Sequence, residues 1–170
     1  MRHRNITTTT WTLILIGVMT ATVYGDTFTD VSYADIASAP LVSDSISGND
    51  DASNELMPGT IVFYRTSEGR YGKLQIQDYA YALTIRWHTY ALDGIGTHAG
   101  GDGMLVGGTQ ACDLDDGSVE GWTAGTDFWW SIDAGVVRTL VPMNEATFCL
   151  PTSGVPAEAT TWSDLKISFR

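Results

Sequence analysis

The stretch TIVFYRTSEGRYGKLQIQDYAYALTIRWHTYA, residues 60–91, decides the fold of this 170-residue chain. It holds three segments rich in β-branched and aromatic residues, at 60–66, 71–77 and 82–91, and the four-residue connections SEGR and DYAY separate them. Segments of this composition form strands, and connections of this length close hairpins. The stretch therefore predicts an antiparallel meander of three strands.

A register follows if both hairpins close symmetrically, with Thr66 opposite Tyr71 and Gln77 opposite Ala82. Because successive side chains alternate between the two faces of a strand, one face of the meander then becomes apolar throughout. Its members are predicted to form the core, and they are Ile61, Phe63, Leu74, Ile76, Leu83, Ile85 and Trp87.

Gly72 interrupts this predicted core face, between Arg65 on one neighbouring strand and Trp87 on the other. A glycine weakens a strand, but it leaves room for a large neighbouring side chain. We therefore expect the Trp87 indole to lie across Gly72, with the Arg65 guanidinium stacked on the indole.

The opposite face of the meander carries a concentrated group of basic and aromatic side chains. We call this group the basic patch, and its predicted members are Tyr64, Tyr71, Lys73, Arg86 and His88. The register places Lys73 directly opposite Arg86, which is unfavourable unless an anion lies between the two cations. The anion is either a carboxylate of this chain or part of a ligand. The basic patch is therefore a candidate site for a carbohydrate or a small anionic ligand.

A second strong strand is predicted at residues 126–133, TDFWWSID. Alternation places Phe128, Trp130 and Ile132 on one face and leaves Trp129 on the other. An exposed indole on a sheet is a platform on which a sugar ring can stack. Trp129 therefore joins the predicted ligand-binding residues, and cover by a loop is the alternative.

The rest of the chain predicts shorter elements. Further strands are expected at 104–114, 136–142, 146–151 and 165–170. The glycine-rich segment 92–103 is predicted to be a loop, and residues 26–40 are predicted to hold a short helix. The predicted fold class is all-β, an antiparallel β-sandwich or sheet-rich domain with one short N-terminal helix.

Residues 1–25 have the pattern of a secretory signal peptide, in which arginines precede an apolar run at 11–23. This run is shorter than the roughly 20 residues of a spanning helix, so a retained membrane anchor is the less favoured alternative. We expect a single β-rich domain at 26–170 that is secreted or held at the cell surface, in the periplasm or outside the cell. No membrane span is expected after signal cleavage.

The composition of the chain is strongly acidic, with a formal net charge of −11. Such a surface repels phosphate backbones and anionic lipids, so nucleic acid is not expected as a partner. The chain has two cysteines, Cys112 and Cys149. In an exported protein such a pair predicts a disulfide, and two buried thiols are the alternative.

The sequence contains no recognised catalytic or phosphate-binding motif, and only two histidines, His88 and His98, follow the signal. Asp113, Asp115 and Asp116 have the composition of a turn, and a metal site there would need further oxygens from elsewhere in the chain. We therefore expect no catalytic residues, no metal site and no cofactor.

Several blocks of the sequence resemble β-rich repeat domains of exported bacterial proteins. The blocks lie at 49–90, CDLDDGS at 112–118, DFWW at 127–130 and RTLVPMNEATF at 138–148. The DLDDG and DFWW pieces also resemble HmuY-like haem-binding lipoproteins, and this resemblance implies capture of haem or another small ligand. It carries over no ligand residues, and the chain lacks the lipobox cysteine of such lipoproteins.

The function that these observations favour is an exported, non-catalytic binding or adhesion module at the cell surface. The first alternative is a haem or small-ligand capture protein of HmuY-like type, with His88 or His98 and a methionine such as Met104 as axial ligands. The second alternative is a secreted hydrolase, whose paired carboxylates would act on glycosides.

Overall fold

The computed structural model describes residues 27–48, 54–133 and 137–151. In this part of the chain the strands form two antiparallel sheets of five strands each. The elements in chain order are α1 (Thr27–Asp30), α2 (Tyr33–Ala37), β1 (Ile46–Ser47), β2 (Ile61–Arg65), β3 (Tyr71–Tyr79), β4 (Leu83–Tyr90), β5 (Thr97–Val106), β6 (Ala111–Cys112), β7 (Val119–Glu120), β8 (Phe128–Asp133), β9 (Val137–Pro142) and β10 (Thr147–Cys149). The all-β class and the sandwich-like arrangement predicted from the sequence are confirmed.

Sheet A has the strand order β10-β2-β3-β4-β5, and sheet B has the order β1-β9-β8-β6-β7. The core lies between them, because one set of buried side chains draws on both sheets. The largest of these side chains are Trp130, Tyr64, Phe128, Phe148, Leu74, Ile76, Leu83, Ile85 and Leu140. The predicted alternation in β8 is confirmed, since Phe128 and Trp130 are fully buried in this core and Trp129 faces away from it.

The predicted register between β2 and β3 is wrong by one residue. Arg65, rather than Thr66, pairs with Tyr71, because Thr66 N donates to Arg70 O at 2.7 Å and a three-residue loop closes the hairpin. Gly69 in that loop has a φ of +86°, a left-handed conformation that three-residue hairpin loops use and that glycine adopts without a steric penalty.

A shift of one residue turns every side chain of a strand to the other face. Val62 and Tyr64 therefore point into the core between the sheets, where Ile61 and Phe63 were expected. Ile61 and Phe63 remain buried because they pack on the outer side of sheet A against Phe28, in α1, and Ile36, in α2. The helical segment thus provides a second, smaller core.

The register between β3 and β4 differs from the prediction by two residues, and a bulge interrupts it after Ile76. A shift of two residues preserves the faces of a strand. Leu74, Ile76, Leu83 and Ile85 are accordingly all fully buried between the sheets, as predicted.

Gly72 makes room for Tyr64 and not for Trp87. Gly72 pairs with Tyr64 across the strands, and a Cβ atom at position 72 would overlap the Tyr64 ring. The Trp87 indole lies instead over two other glycines, since a Cβ would be 2.6 Å from it at Gly101 and 2.7 Å at Gly117. The expected stacking of Arg65 on Trp87 is wrong, because Arg65 is exposed on the outer side of sheet A.

The prediction of a loop at residues 92–103 is also wrong from Thr97 onward, where β5 begins. Glycines disfavour strands in general, but β5 is an edge strand with two register shifts and pairs with β4 along most of its length. Gly101 in this strand admits the Trp87 ring. Tertiary packing therefore outweighs the weak strand propensity of this segment.

The predicted N-terminal helix consists of two short helices. Ser32 caps α2, because its hydroxyl accepts a hydrogen bond from Asp35 N while the Asp35 carboxylate accepts one from Ser32 N. Among the described residues, no helix has the length and apolar character needed to cross a membrane. The predicted signal peptide at 1–25 and the strand expected at 165–170 lie outside the described residues.

The predicted disulfide is not formed. Cys112 and Cys149 are both buried free thiols, on opposite sides of sheet A. Cys112 lies in the core between the sheets, whereas Cys149 packs with Ile61 and Phe63 on the outer side. Burial raises the pKa of both thiols, so they remain protonated and unreactive at neutral pH.

Candidate functional site

The basic patch is covered by the N-terminal helices. Lys73, at its centre, is only 4% exposed. Its Nζ donates hydrogen bonds to the carbonyl oxygens of Phe28 and Val31, each at 2.5 Å. Phe28 lies in α1 and Val31 follows it, so backbone oxygens of the helical segment accept hydrogen bonds from this ammonium group.

Phe28 also separates the two cations of the patch. Its ring centroid is 4.8 Å from Lys73 Nζ and 4.3 Å from Arg86 Cζ. The predicted pairing of Lys73 with Arg86 is wrong, because Lys73 pairs with His88 and Arg86 pairs with Gln75. Arg86 Nε donates to Gln75 Oε1 at 2.9 Å. The electronegative face of the Phe28 ring thus contacts both cations.

The aromatic members of the patch pack against α2. Tyr33 makes edge-to-face contacts with Tyr71 and Tyr90, with centroid distances of 5.7 and 5.5 Å. His88 stacks edge-on against Tyr90 at 4.4 Å. Burial, reinforced by the nearby charge of Lys73, lowers the pKa of His88, so this imidazole is neutral at physiological pH.

Tyr64 lies apart from the rest of the predicted patch, on the core side of sheet A. Its hydroxyl is 2.7 Å from Thr89 Oγ1, and Thr89 in turn donates to Leu114 O at 2.5 Å. Burial raises the pKa of Tyr64 well above its usual range. The Tyr64 hydroxyl therefore bonds β2 to β4 within sheet A, and the Thr89 hydroxyl bonds β4 to the turn after β6.

Replacing Lys73 with methionine is expected to lower the free energy of unfolding by about 1 to 3 kcal/mol, because the buried carbonyls of Phe28 and Val31 would lose their donor. Arg65→Met is the matched control, since it removes a cation from an exposed position on the same face and should cost no more than about 0.5 kcal/mol. Urea denaturation of both variants measures the difference. Equal stability of the two variants would mean that the Lys73 contacts contribute nothing.

The outer face of sheet B presents a second aromatic pair. Trp129 is half-buried, and Trp122 packs edge-on against it with a centroid distance of 5.1 Å and an interplanar angle of 61°. The Trp122 side chain itself is 63% exposed. The sequence leaves cover of Trp129 by a loop as the alternative to an exposed indole. A loop residue does cover Trp129, but that residue is Trp122, whose own indole is exposed to solvent.

The loop that carries Trp122 is held by hydrogen bonds. Asn144 Nδ2 donates to Thr123 O at 2.8 Å and to Thr126 O at 2.9 Å. Thr126 Oγ1 also accepts a hydrogen bond from Thr123 N at 3.0 Å. The sequence analysis did not single out Trp122, because a Gly-Trp-Thr segment between strands shows no periodicity from which its exposure could be predicted.

The face of sheet B that carries Trp129 has both apolar and polar side chains. Directly paired residues share a face of an antiparallel sheet, so the register of sheet B identifies the cross-strand partners of Trp129. These partners are Ala111 and Val141, both apolar, and the polar residues farther along or across the same face are Ser131, Thr139, Glu120 and Asp133.

Three aspartates converge where the β2–β3 loop meets the turn after β6. One oxygen from each of Asp113, Asp115 and Asp127 lies within 4.8 Å of the other two. Asp127 is fully buried and accepts hydrogen bonds from Ser67 N at 2.7 Å and Leu114 N at 2.8 Å. Burial raises the pKa of Asp127 to about 7, although these hydrogen bonds oppose the rise.

The sequence analysis placed Asp113 and Asp115 on one turn and noted that a metal site would need oxygens from elsewhere. Asp127 supplies such an oxygen. Arg70 Nη1 lies 3.3 Å from Asp115 Oδ2 and also pairs with Glu68, so one guanidinium is shared between two carboxylates. Burial raises the pKa of Asp113 and of Asp115 as well.

The residues considered as haem ligands do not form a common site. Met104 pairs with Ile85 and packs against the core between the sheets. His88 lies on the opposite face of sheet A, beside Tyr90. His98 is exposed on β5. A single iron could not bind His88 and Met104 together in this arrangement.

Comparisons of the chain with protein-family models, curated proteins and solved structures give no match. The resemblances to exported repeat domains and to HmuY-like lipoproteins therefore stay predictions.

Proposed function

We propose that this chain is an exported, non-catalytic binding module that binds carbohydrate on the outer face of sheet B. The observation that carries the proposal is the Trp122 indole, which is 63% exposed and held edge-on by Trp129. A large apolar side chain in such a position costs free energy in water unless a partner covers it.

A sugar ring fits the chemistry of this face. Pyranose rings present C–H groups on one side, which pack on an indole, and hydroxyls at the rim, which need hydrogen-bond partners. Ser131 and Thr139 provide hydroxyls on the same face as Trp129, and Glu120 and Asp133 provide carboxylates farther from it on that face. The net charge of −11 disfavours an anionic polymer and is compatible with a neutral glycan.

The basic patch is the weaker candidate for a ligand surface. Its lysine is buried against backbone carbonyls, Tyr71 packs against Tyr33, and Arg86 lies over the Phe28 ring. A ligand there would have to displace the helical segment. Of the ligand-binding residues predicted from the sequence, Trp129 is therefore the one that lies on the proposed glycan-binding face.

Trp122→Ala is expected to reduce the affinity for a glycan found by array screening by at least about 10-fold, which corresponds to about 1.4 kcal/mol. Truncation of an exposed tryptophan that anchors a ligand removes most of its contact area, whereas it removes little from the core. Isothermal titration calorimetry on the secreted form measures the change.

Tyr81→Ala is the matched control, because Tyr81 is an aromatic residue of similar exposure that lies against Gly108, away from Trp122. It should leave glycan affinity unchanged. Absence of any glycan ligand on the array, or an equal effect of the two substitutions, would contradict the proposal. Cleavage of a bound glycan would instead favour the hydrolase alternative.

A further inference from the structure

The convergence of Asp113, Asp115 and Asp127 brings together three carboxylates from two separate parts of the chain. Asp113 and Asp115 follow β6, while Asp127 immediately precedes β8. The three oxygens are within 4.8 Å of one another, and two of the three residues are buried. Carboxylates at this separation repel one another when they are ionised, because the dielectric constant of a buried site is low.

Asp115 supplies a second observation, independent of the proximity of the three residues. The residue is only 7% exposed, and both of its carboxylate oxygens are buried. Arg70 Nη1 forms an ion pair with Asp115 Oδ2 at 3.3 Å, whereas Asp115 Oδ1 has no hydrogen-bond partner among the described residues. Buried polar atoms are nearly always satisfied, and a carboxylate oxygen that is buried without a donor is suited to bind a cation.

We propose that Asp113, Asp115 and Asp127 bind one Ca²⁺ ion. An all-oxygen set of ligands favours a hard cation over zinc, which prefers nitrogen and sulfur. Ca²⁺ binds oxygens at about 2.3–2.6 Å, so oxygens on opposite sides of the ion are about 4.6–5.2 Å apart. The three oxygens, all within 4.8 Å of one another, fit inside this span, and the reference titration with Mg²⁺ distinguishes the two ions.

The neighbouring loop explains what the ion does for the fold. Gly125 lies so close to Asp113 that a Cβ there would be 2.5 Å from Asp113 Oδ2. Gly125 O also accepts a hydrogen bond from Ser67 Oγ at 3.3 Å. An ion at this position therefore holds the loop 121–126 against the β2–β3 hairpin loop, and Arg70 retains Glu68 as its ion-pair partner.

The experiment is a calorimetric titration of the secreted chain with CaCl₂ at pH 8, after treatment with EDTA and its removal, with MgCl₂ as the reference titration. We expect a Kd of about 10⁻⁴ to 10⁻³ M, the range of extracellular calcium modules, and weaker binding of Mg²⁺. A melting curve with about 10 mM CaCl₂ should show a higher Tm than one with EDTA, because the ion binds only the folded chain.

Asp115→Asn is expected to lower Ca²⁺ affinity at least about 10-fold, the effect expected when a direct ligand loses its charge. Asp116→Asn, which removes an exposed carboxylate from the same turn, should leave affinity unchanged. Arg70→Gln should raise affinity, because it removes the cation that competes for Asp115.

Lack of both heat and a Tm change with wild-type chain at about 10 mM CaCl₂ would overturn the proposal even if the variants did not fold. Equal affinity for Mg²⁺ would overturn the assignment to Ca²⁺, and equal affinities of Asp115→Asn and Asp116→Asn would overturn the assignment to these aspartates. The inference does not depend on glycan binding, since none of its residues is a tryptophan of the sheet B face.

Discussion

Raising the pH from about 4 to about 7 is expected to lower the free energy of unfolding by about 4 kcal/mol through Asp127 alone. The Asp127 carboxyl has a pKa of about 7 in the folded chain, against 3.8 for an ordinary aspartate. The main cause is its burial, which disfavours the charged form.

The direction of this pH effect on the free energy of unfolding follows from the number of protons that each state binds. Between pH values of about 4 and 7 the folded chain keeps the Asp127 proton and the unfolded chain has released it. Unfolding therefore releases a proton in this range and becomes more favourable as the pH rises, by about 1.4 kcal/mol per pH unit. Below and above this range the contribution of Asp127 does not change with pH.

Denaturation of the wild type and of Asp127→Asn at several pH values, with EDTA throughout, isolates this contribution. The asparagine is neutral at every pH, but its Nδ2 cannot accept the backbone hydrogen bond that a carboxylate oxygen accepts, so the variant should be the less stable protein near pH 4 by about 1 to 3 kcal/mol. Because the asparagine does not titrate, the difference between the two proteins should shift in favour of the variant by up to about 4 kcal/mol between about pH 4 and pH 8. Parallel pH profiles of the two proteins would show that Asp127 does not titrate near neutrality.

The second large effect is expected from Gly72→Val, which should lower the free energy of unfolding by about 3 kcal/mol or more. The Tyr64 ring occupies the space into which a side chain at position 72 would project. Tyr64 cannot yield easily, because it is fully buried and its hydroxyl is hydrogen-bonded to Thr89. Overpacking of this kind forces the backbone of β3 away from β2.

Gly121→Val serves as the control, because no heavy atom lies within 4 Å of a Cβ built at Gly121. It should change stability by about 0.5 kcal/mol or less. A smaller residue at position 64 should relieve the clash, so Gly72→Val should cost less in a Tyr64→Leu background than in the wild type. The same cost in both backgrounds would mean that Tyr64 is not the side chain with which position 72 collides.

Several elements of the fold could be predicted because their signals are local. The alternation of Phe128, Trp130 and Ile132 depends on the two-residue period of a strand, which holds whatever the strand pairs with. The meander depends on β propensity and short connections, and its three strands appear within two residues of their predicted ends.

The candidate site could be predicted only in part. Trp129 was placed on the correct face by alternation, but the exposure of its partner Trp122 is a property of how the loop after β7 packs. The buried position of Lys73 depends on the carbonyls of Phe28 and Val31, which are more than 40 residues away in sequence. No local pattern specifies that α1 covers this face.

The sequence by itself determined that the chain is an acidic, all-β protein and which residues of each strand share a face, because composition and the period of a strand are properties of the chain alone. Tertiary structure decided which of the two faces of β2 points inward, since the left-handed conformation of Gly69 shortens the hairpin loop by one residue. It also decided that Cys112 and Cys149 remain apart and that Asp127 meets Asp113 and Asp115. Contacts between distant segments depend on the packing of two sheets, which no single stretch of sequence encodes.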